Sequence, residues 1–246
     1  MLYTVAGAVF VALGLAIGWY GLRPLTVVPG VLRVDVRDPS EVTEAGSFVA
    51  CRGVATVSNE TLSAPFTGAR CLGFEFEVTE RQPFGIGVPW FQAHLDDGVA
   101  TRPFALDGPA GARNGPTGRL TVVPSAKRFA LDTESTVVTV GADETPPERI
   151  RRFVDARDEL EPVARWIRAI PGLGTRRYVE RRIDPGEEYL VAGRTERRQN
   201  ETVLAGDLVV TDRSPRGFAI ARLWRASFPM VIALVFVAVG IGGITL

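Results

Sequence analysis

The chain has 246 residues with 28 Lys and Arg, 28 Asp and Glu and one His, so it is formally neutral at pH 7. Neutrality removes the global positive field that nucleic-acid binding uses, which excludes nucleic acid as a partner class. Two cysteines and one histidine fall short of a four-ligand zinc site, so neither a metal nor another cofactor is expected.

The hydrophobic fraction is 46%, and the excess lies in two runs. Leu2–Leu22 has no charged residue. As a helix rising 1.5 Å per residue it would be about 31 Å long, close to the ~30 Å hydrocarbon core of a bilayer. No Lys or Arg precedes it, it is longer than a signal-peptide core, and it ends in Trp19-Tyr20 followed by Arg23-Pro24. An aromatic pair before an arginine is the edge of a permanent span rather than a cleavage site.

The second run, Phe228–Leu246, is also uncharged, about 28 Å long as a helix, and follows Trp224-Arg225. The division is therefore a span over 2–22, a domain over 23–227 and a span over 228–246. The inner flanks carry Arg23, Arg33, Arg37, Arg213, Arg216, Arg222 and Arg225, and the outer ends carry no Lys or Arg. The positive-inside rule predicts a two-span integral membrane protein with a cytoplasmic domain.

Between the spans, alternation of apolar and polar residues predicts short strands over Val31–Arg37, Phe48–Val57 and Cys71–Glu80. Further candidates are Val99–Leu106, Arg119–Val123, Thr136–Val140, Arg177–Ile183, Glu188–Thr195 and Leu208–Thr211. Gly and Pro clusters at Asp107–Gly118 and Asp184-Pro185-Gly186 separate them. Thr145-Pro146-Pro147-Glu148 reads as a capped helix start, with Thr145 as N-cap and Ile150, Phe153 and Val154 on one face. Glu161–Ile170 is a candidate second helix, and Gly217–Ser227 is an amphipathic lead into the second span. The expected class is mainly β with one or two helices (α+β), a small barrel or sandwich flanked by two transmembrane helices.

Candidate chemistry is sparse. Any Ser/His/Asp or Cys/His catalyst would have to use His94, and no serine sits in a nucleophile elbow, so a surface histidine is expected. Cys51 and Cys71 lie on predicted strands as small core residues, or as a disulfide if the domain faces outward. Glu75 and Glu77 share a strand face and read as solvated charge. Gly85-Ile86-Gly87 and Gly172-Leu173-Gly174 lack nucleotide-binding spacing and read as turns. Asn59-Glu60-Thr61 and Asn200-Glu201-Thr202 match the glycosylation pattern, which matters only outside the cytoplasm. Loops and exposed aromatics tend to carry recognition. On that ground Leu62, Pro65 and Phe66, with Tyr178 and Glu180, are the candidate binding residues.

Gly53-Val54-Ala55, the run Glu60-Thr61-Leu62-Ser63-Ala64-Pro65-Phe66-Thr67-Gly68 and Cys71-Leu72 ahead of Phe74–Val78 form one recognisable block. Pro146–Ile150 and Arg177–Glu187 follow in the same order. Together they resemble the GIDE domain, found beside two membrane helices in mitochondrial ubiquitin ligases and in shorter RING-less prokaryotic relatives. The resemblance implies a non-enzymatic scaffold, sensor or protein-binding module whose partners are the bilayer and an unidentified protein. The alternative is a component of a ubiquitin-like conjugation system. In the ligases a RING after the second span performs catalysis, and no residue of this chain corresponds to it. The ligases also face this domain away from the cytosol, opposite to the side that the arginine flanks predict.

Overall fold

The computed structural model describes residues 2–82, 91–108, 118–158, 160–170 and 172–245. The glycine loop Gly85-Ile86-Gly87, most of the Asp107–Gly118 cluster and Pro171 lie outside the described residues. The chain forms two compact units, one of Met1–Asp35 with Arg213–Leu246 and one of Val36–Asp212.

The first unit is a helical pair. α1 (Leu2–Leu22) packs against α5 (Pro215–Thr245), and a short α2 (Val28–Arg33) also packs on α5. Both long helices are long and apolar enough to cross a membrane. They run antiparallel, because a Cβ on Gly7 would meet the Gly240 carbonyl oxygen at 2.6 Å and one on Gly21 would meet Pro229 at 3.1 Å. Small residues let two backbones approach this closely, which is how helices associate where no hydrophobic force drives them together. Apolar side chains cover the outside, among them Val9, Leu15, Leu234 and Val239, each more than half exposed.

One expectation fails here. Val31–Arg37 is not a strand: Val28–Arg33 is helical, and only Val36–Arg37 (β1) is extended. Pro29 sits in the first turn, and Val28, Val31 and Leu32 follow the i, i+3, i+4 spacing, so packing of a buried Val31 overrides the local alternation.

The second unit is α+β, as expected. Its first layer contains β2 (Phe48–Val57), β7 (Phe104–Asp107), β8 (Arg119–Asp132), β11 (Glu188–Arg198) and β12 (Glu201–Thr211). They pair in the order β2-β11-β12-β8-β7, and β7 returns to β2, so five strands close a small barrel with β1 added beside β2. Closure removes free sheet edges. The barrel core includes Cys51, Phe104, Leu106, Val122, Val191 and Leu204.

The other layer is an antiparallel sheet in the order β6-β5-β10-β9. Its strands are β5 (Gly73–Gln82), β6 (Phe91–Thr101), β9 (Ser135–Val140) and β10 (Arg176–Ile183). Leu72 and Ile183 enter the barrel core from the ends of this sheet, where Leu72 N–H donates to the Ile183 carbonyl at 2.8 Å.

Three sequence-predicted strands differ in extent for identifiable reasons. Val99–Leu106 is broken at Arg102-Pro103, where the chain leaves the four-stranded sheet for the barrel. β8 extends past Pro124, which has no N–H to donate, and its pairing with β12 jumps from Pro124 to Phe129. β12 begins at Glu201, and its inward rows are displaced by the irregularity at Gly206–Leu208. Such a bulge hides a strand from a period-2 reading. Helix α3 (Glu148–Asp155) forms, but Pro147 is its N-cap and Thr145 caps nothing. Glu148 instead pairs with Arg151 at 2.5 Å and Arg152 at 3.3 Å. The second helix shrinks to α4 (Arg165–Arg168).

Candidate functional site

The five residues expected to bind a partner divide by burial. Phe66 (6% exposed), Tyr178 (2%) and Glu180 (0%) are interior, which corrects the expectation of exposed aromatics. Leu62 and Pro65 are half-buried. Tyr178 and Glu180 lie in the middle of β10, not in a loop.

The structure does bring them together. β3 (Leu62–Ser63) and β4 (Arg70–Cys71) form a small hairpin whose turn passes through Ala64-Pro65-Phe66-Thr67-Gly68. Gly68 takes φ +78°, the region that favours glycine. Phe66 leaves this turn and meets Phe76, Phe153 and Tyr178 edge-on, with centroids 5.7, 5.0 and 5.3 Å away. Edge-to-face contacts of this kind are the favoured aromatic geometry. The Glu180 carboxylate then holds the turn backbone. It accepts from Phe66 N–H at 2.7 Å, Thr67 N–H at 3.2 Å and the Thr67 hydroxyl at 2.5 Å. From the other side Arg149 of α3 donates to the Pro65 and Ala64 carbonyls at 3.2 Å and to the Ser63 hydroxyl at 2.7 Å.

Arg182 carries this network outward. Its Nη1 reaches Thr67 Oγ1 at 2.8 Å and Glu180 at 3.3 Å, and its Nε and Nη2 form a fork on Asp184 at 3.1 and 3.2 Å. Asp184 N–H donates to the Tyr189 hydroxyl at 2.9 Å, and burial pushes the Tyr189 phenol up to about 12. Asp184-Pro185-Gly186 forms the expected turn, with Gly186 at φ +91°.

Beyond Asp184 the surface opens into a cleft of about 420 Å³, at the start of β9 and β11. Glu134, Asp184, Glu187, Glu188 and Asp212 line it, against a single arginine, Arg182. Sequence reasoning missed this cleft because its carboxylates come from three separate stretches of chain, at Glu134, Asp184–Glu188 and Asp212. Among the described residues no three His, Cys, Asp or Glu side chains are grouped closely enough to hold a metal ion.

The remaining candidates fall elsewhere. His94 lies on β6 with a half-exposed side chain, 2.8 Å from Asp97 and 3.7 Å from Glu77. The Asp97 hydrogen bond, with the Glu77 charge, raises its pKa above the ordinary value. Glu75 stands 3.8 Å from Arg181 across the sheet. Cys51 and Cys71 are separate buried thiols, pushed up by burial to about 12 and about 11, so neither is an accessible nucleophile. Asn200 stands at φ +71° beside Gln199 at φ +46° in the β11–β12 hairpin turn. Asn tolerates that conformation well, which accounts for an asparagine at this turn position.

Buried Glu80 pairs with Arg176 at 2.8 Å, and Arg176 also donates to the Glu161 carbonyl. A cavity of about 270 Å³ lies beside this pair.

No family model, curated protein or solved structure matches the chain.

Proposed function

We propose that this chain is a membrane-tethered, non-enzymatic recognition module whose folded domain meets a protein partner at the bilayer surface. The observation that carries the reading is the carboxylate cleft at the start of β9, the outermost strand of its sheet. Residues 135–137 and 139 of β9 are exposed, Val137 at 40%, so the strand offers backbone and an apolar side chain beside a negatively charged mouth. An extended segment bearing Lys or Arg fits that combination, since an outer strand accepts an added strand and charge sets its register. Phe66, Tyr178 and Glu180 act in this reading as the support behind the half-buried Leu62 and Pro65.

Two terminal apolar helices support the tether, and the GIDE-like order of motifs agrees with a domain carried between two spans. The arginine flanks support a cytoplasmic domain. In that compartment the two cysteines remain thiols and the glycosylation patterns are silent.

A photo-crosslinker at Val137, activated in native membranes, tests the reading. A discrete crosslinked protein that disappears in the Glu187→Lys/Glu188→Lys variant is the expected result. A crosslink that survives those substitutions, or none at all, overturns it. Protease protection in sealed vesicles of known orientation decides the side.

A further inference from the structure

We infer that Arg23 and Arg225 form a phosphate clamp for the headgroup of an anionic phospholipid; this rests on the membrane reading above.

The charge is distributed unevenly for a neutral chain. The helical unit holds six arginines and one acid, Asp35, so the Val36–Asp212 unit carries the compensating excess of five acids. All six arginines lie from Arg23 inward along the sequence, and none lies in the apolar length of either helix.

Packing sets the height of these charges. Gly7 faces Gly240, Gly14 faces Ala233 and Val237, and Gly21 faces Pro229. α1 ends at Leu22, and Arg23 opens a short 3-10 turn, Arg23–Leu25, that also packs on α5, so the antiparallel register puts Arg23 at the level of the α5 turns around Arg225. Counting back from Thr245, the 21 residues that match the length of α1 begin at Arg225. Both side chains are exposed and stand where a ~30 Å hydrocarbon core would end.

The surroundings suit a headgroup. Trp19, Tyr20 and Trp224 are 74%, 71% and 75% exposed, the amphipathic belt found at a lipid interface. On α5 the exposed apolar stripe does not stop at Phe228. It continues through Trp224 and Leu223 to Ile220, about 12 Å further along the axis. Arg225 thus lies among exposed apolar side chains of its own helix, the setting of an interfacial arginine. Arg222 of the same helix lies over the Phe218 ring at 5.1 Å.

The test uses the full chain reconstituted in vesicles of phosphatidylcholine with and without phosphatidylglycerol, then extracted in mild detergent for native mass spectrometry of retained lipid. The expected result is selective retention of phosphatidylglycerol by the wild-type chain. Arg23→Gln/Arg225→Gln should reduce that preference by at least about fivefold, and Arg197→Gln/Arg198→Gln should leave it unchanged. Equal retention of the two lipids by wild type, or an undiminished preference in Arg23→Gln/Arg225→Gln, overturns the inference. Displacement of the lipid by excess inorganic phosphate also overturns it, because the site would then take free phosphate. Alkaline carbonate separates the two failures. A chain that it extracts from the vesicles refutes the membrane reading and this inference together. An inserted chain without lipid preference refutes this inference alone.

Discussion

Single side chains in the domain are fixed by which charge stands next to them. His94 is the clearest case, because Asp97 at 2.8 Å and Glu77 at 3.7 Å both favour its protonated form. Its folded pKa is raised. The stabilisation it gives is therefore fully present below the unfolded value of about 6.5 and is lost as pH rises through the folded pKa. As the only histidine, it gives one imidazole resonance. That resonance should titrate above pH ~6.5 in the wild type and move down in Asp97→Asn; an unmoved midpoint would show that Asp97 is not its partner. Sequence composition foretold a surface histidine, but it could not supply the partners. Glu77 lies on a neighbouring strand, and the pairing of β5 with β6 shifts register between Val78 and Thr79.

Elements in this protein are held by what they cover. The 62–71 hairpin has only two residues in each strand and would not stand alone. It is secured by a buried carboxylate on one side and by Arg149 of α3 on the other. Glu180→Ala would leave the buried Phe66 N–H and the Thr67 N–H without their carboxylate acceptor and should cost about 3 kcal/mol, the range for breaking a buried charged network. Phe153→Ala removes a ring that touches Phe66 and Phe76 at 5.0 and 5.1 Å and should cost a similar amount. Thermal melts of the full chain in detergent measure both, and a loss under 1 kcal/mol in each would mean that the hairpin is held some other way. The strands that were legible, β2, β5 and β10, are rich in β-branched and aromatic residues and contain no proline. Those misjudged, β8 and β12, contain Pro124 and the Gly206 irregularity, where pairing continues although the period fails.

At the scale of the molecule, the close approach of α1 and α5 can be tested directly. The position of a Cβ on Gly18 is 3.5 Å from the Ala233 Cβ, at the short end of the range spanned by disulfides. Gly18→Cys/Ala233→Cys should therefore crosslink within one chain under mild oxidation. Adding Gly14→Leu should abolish the crosslink, because its Cβ alone would lie 2.8 Å from the Ala233 carbonyl oxygen. Crosslinking that persists in the triple variant would rule out this packing. The sequence by itself determined that two uncharged runs end the chain, that the middle is β-rich, and that arginines gather at the inner flanks, since these follow from composition and short-range period. Tertiary structure alone decided that five strands close a barrel and that Phe66, Tyr178 and Glu180 turn inward. It also assembled a cleft from carboxylates distant in sequence. Each of these depends on pairing between residues far apart along the chain, and local periodicity contains no record of such partners.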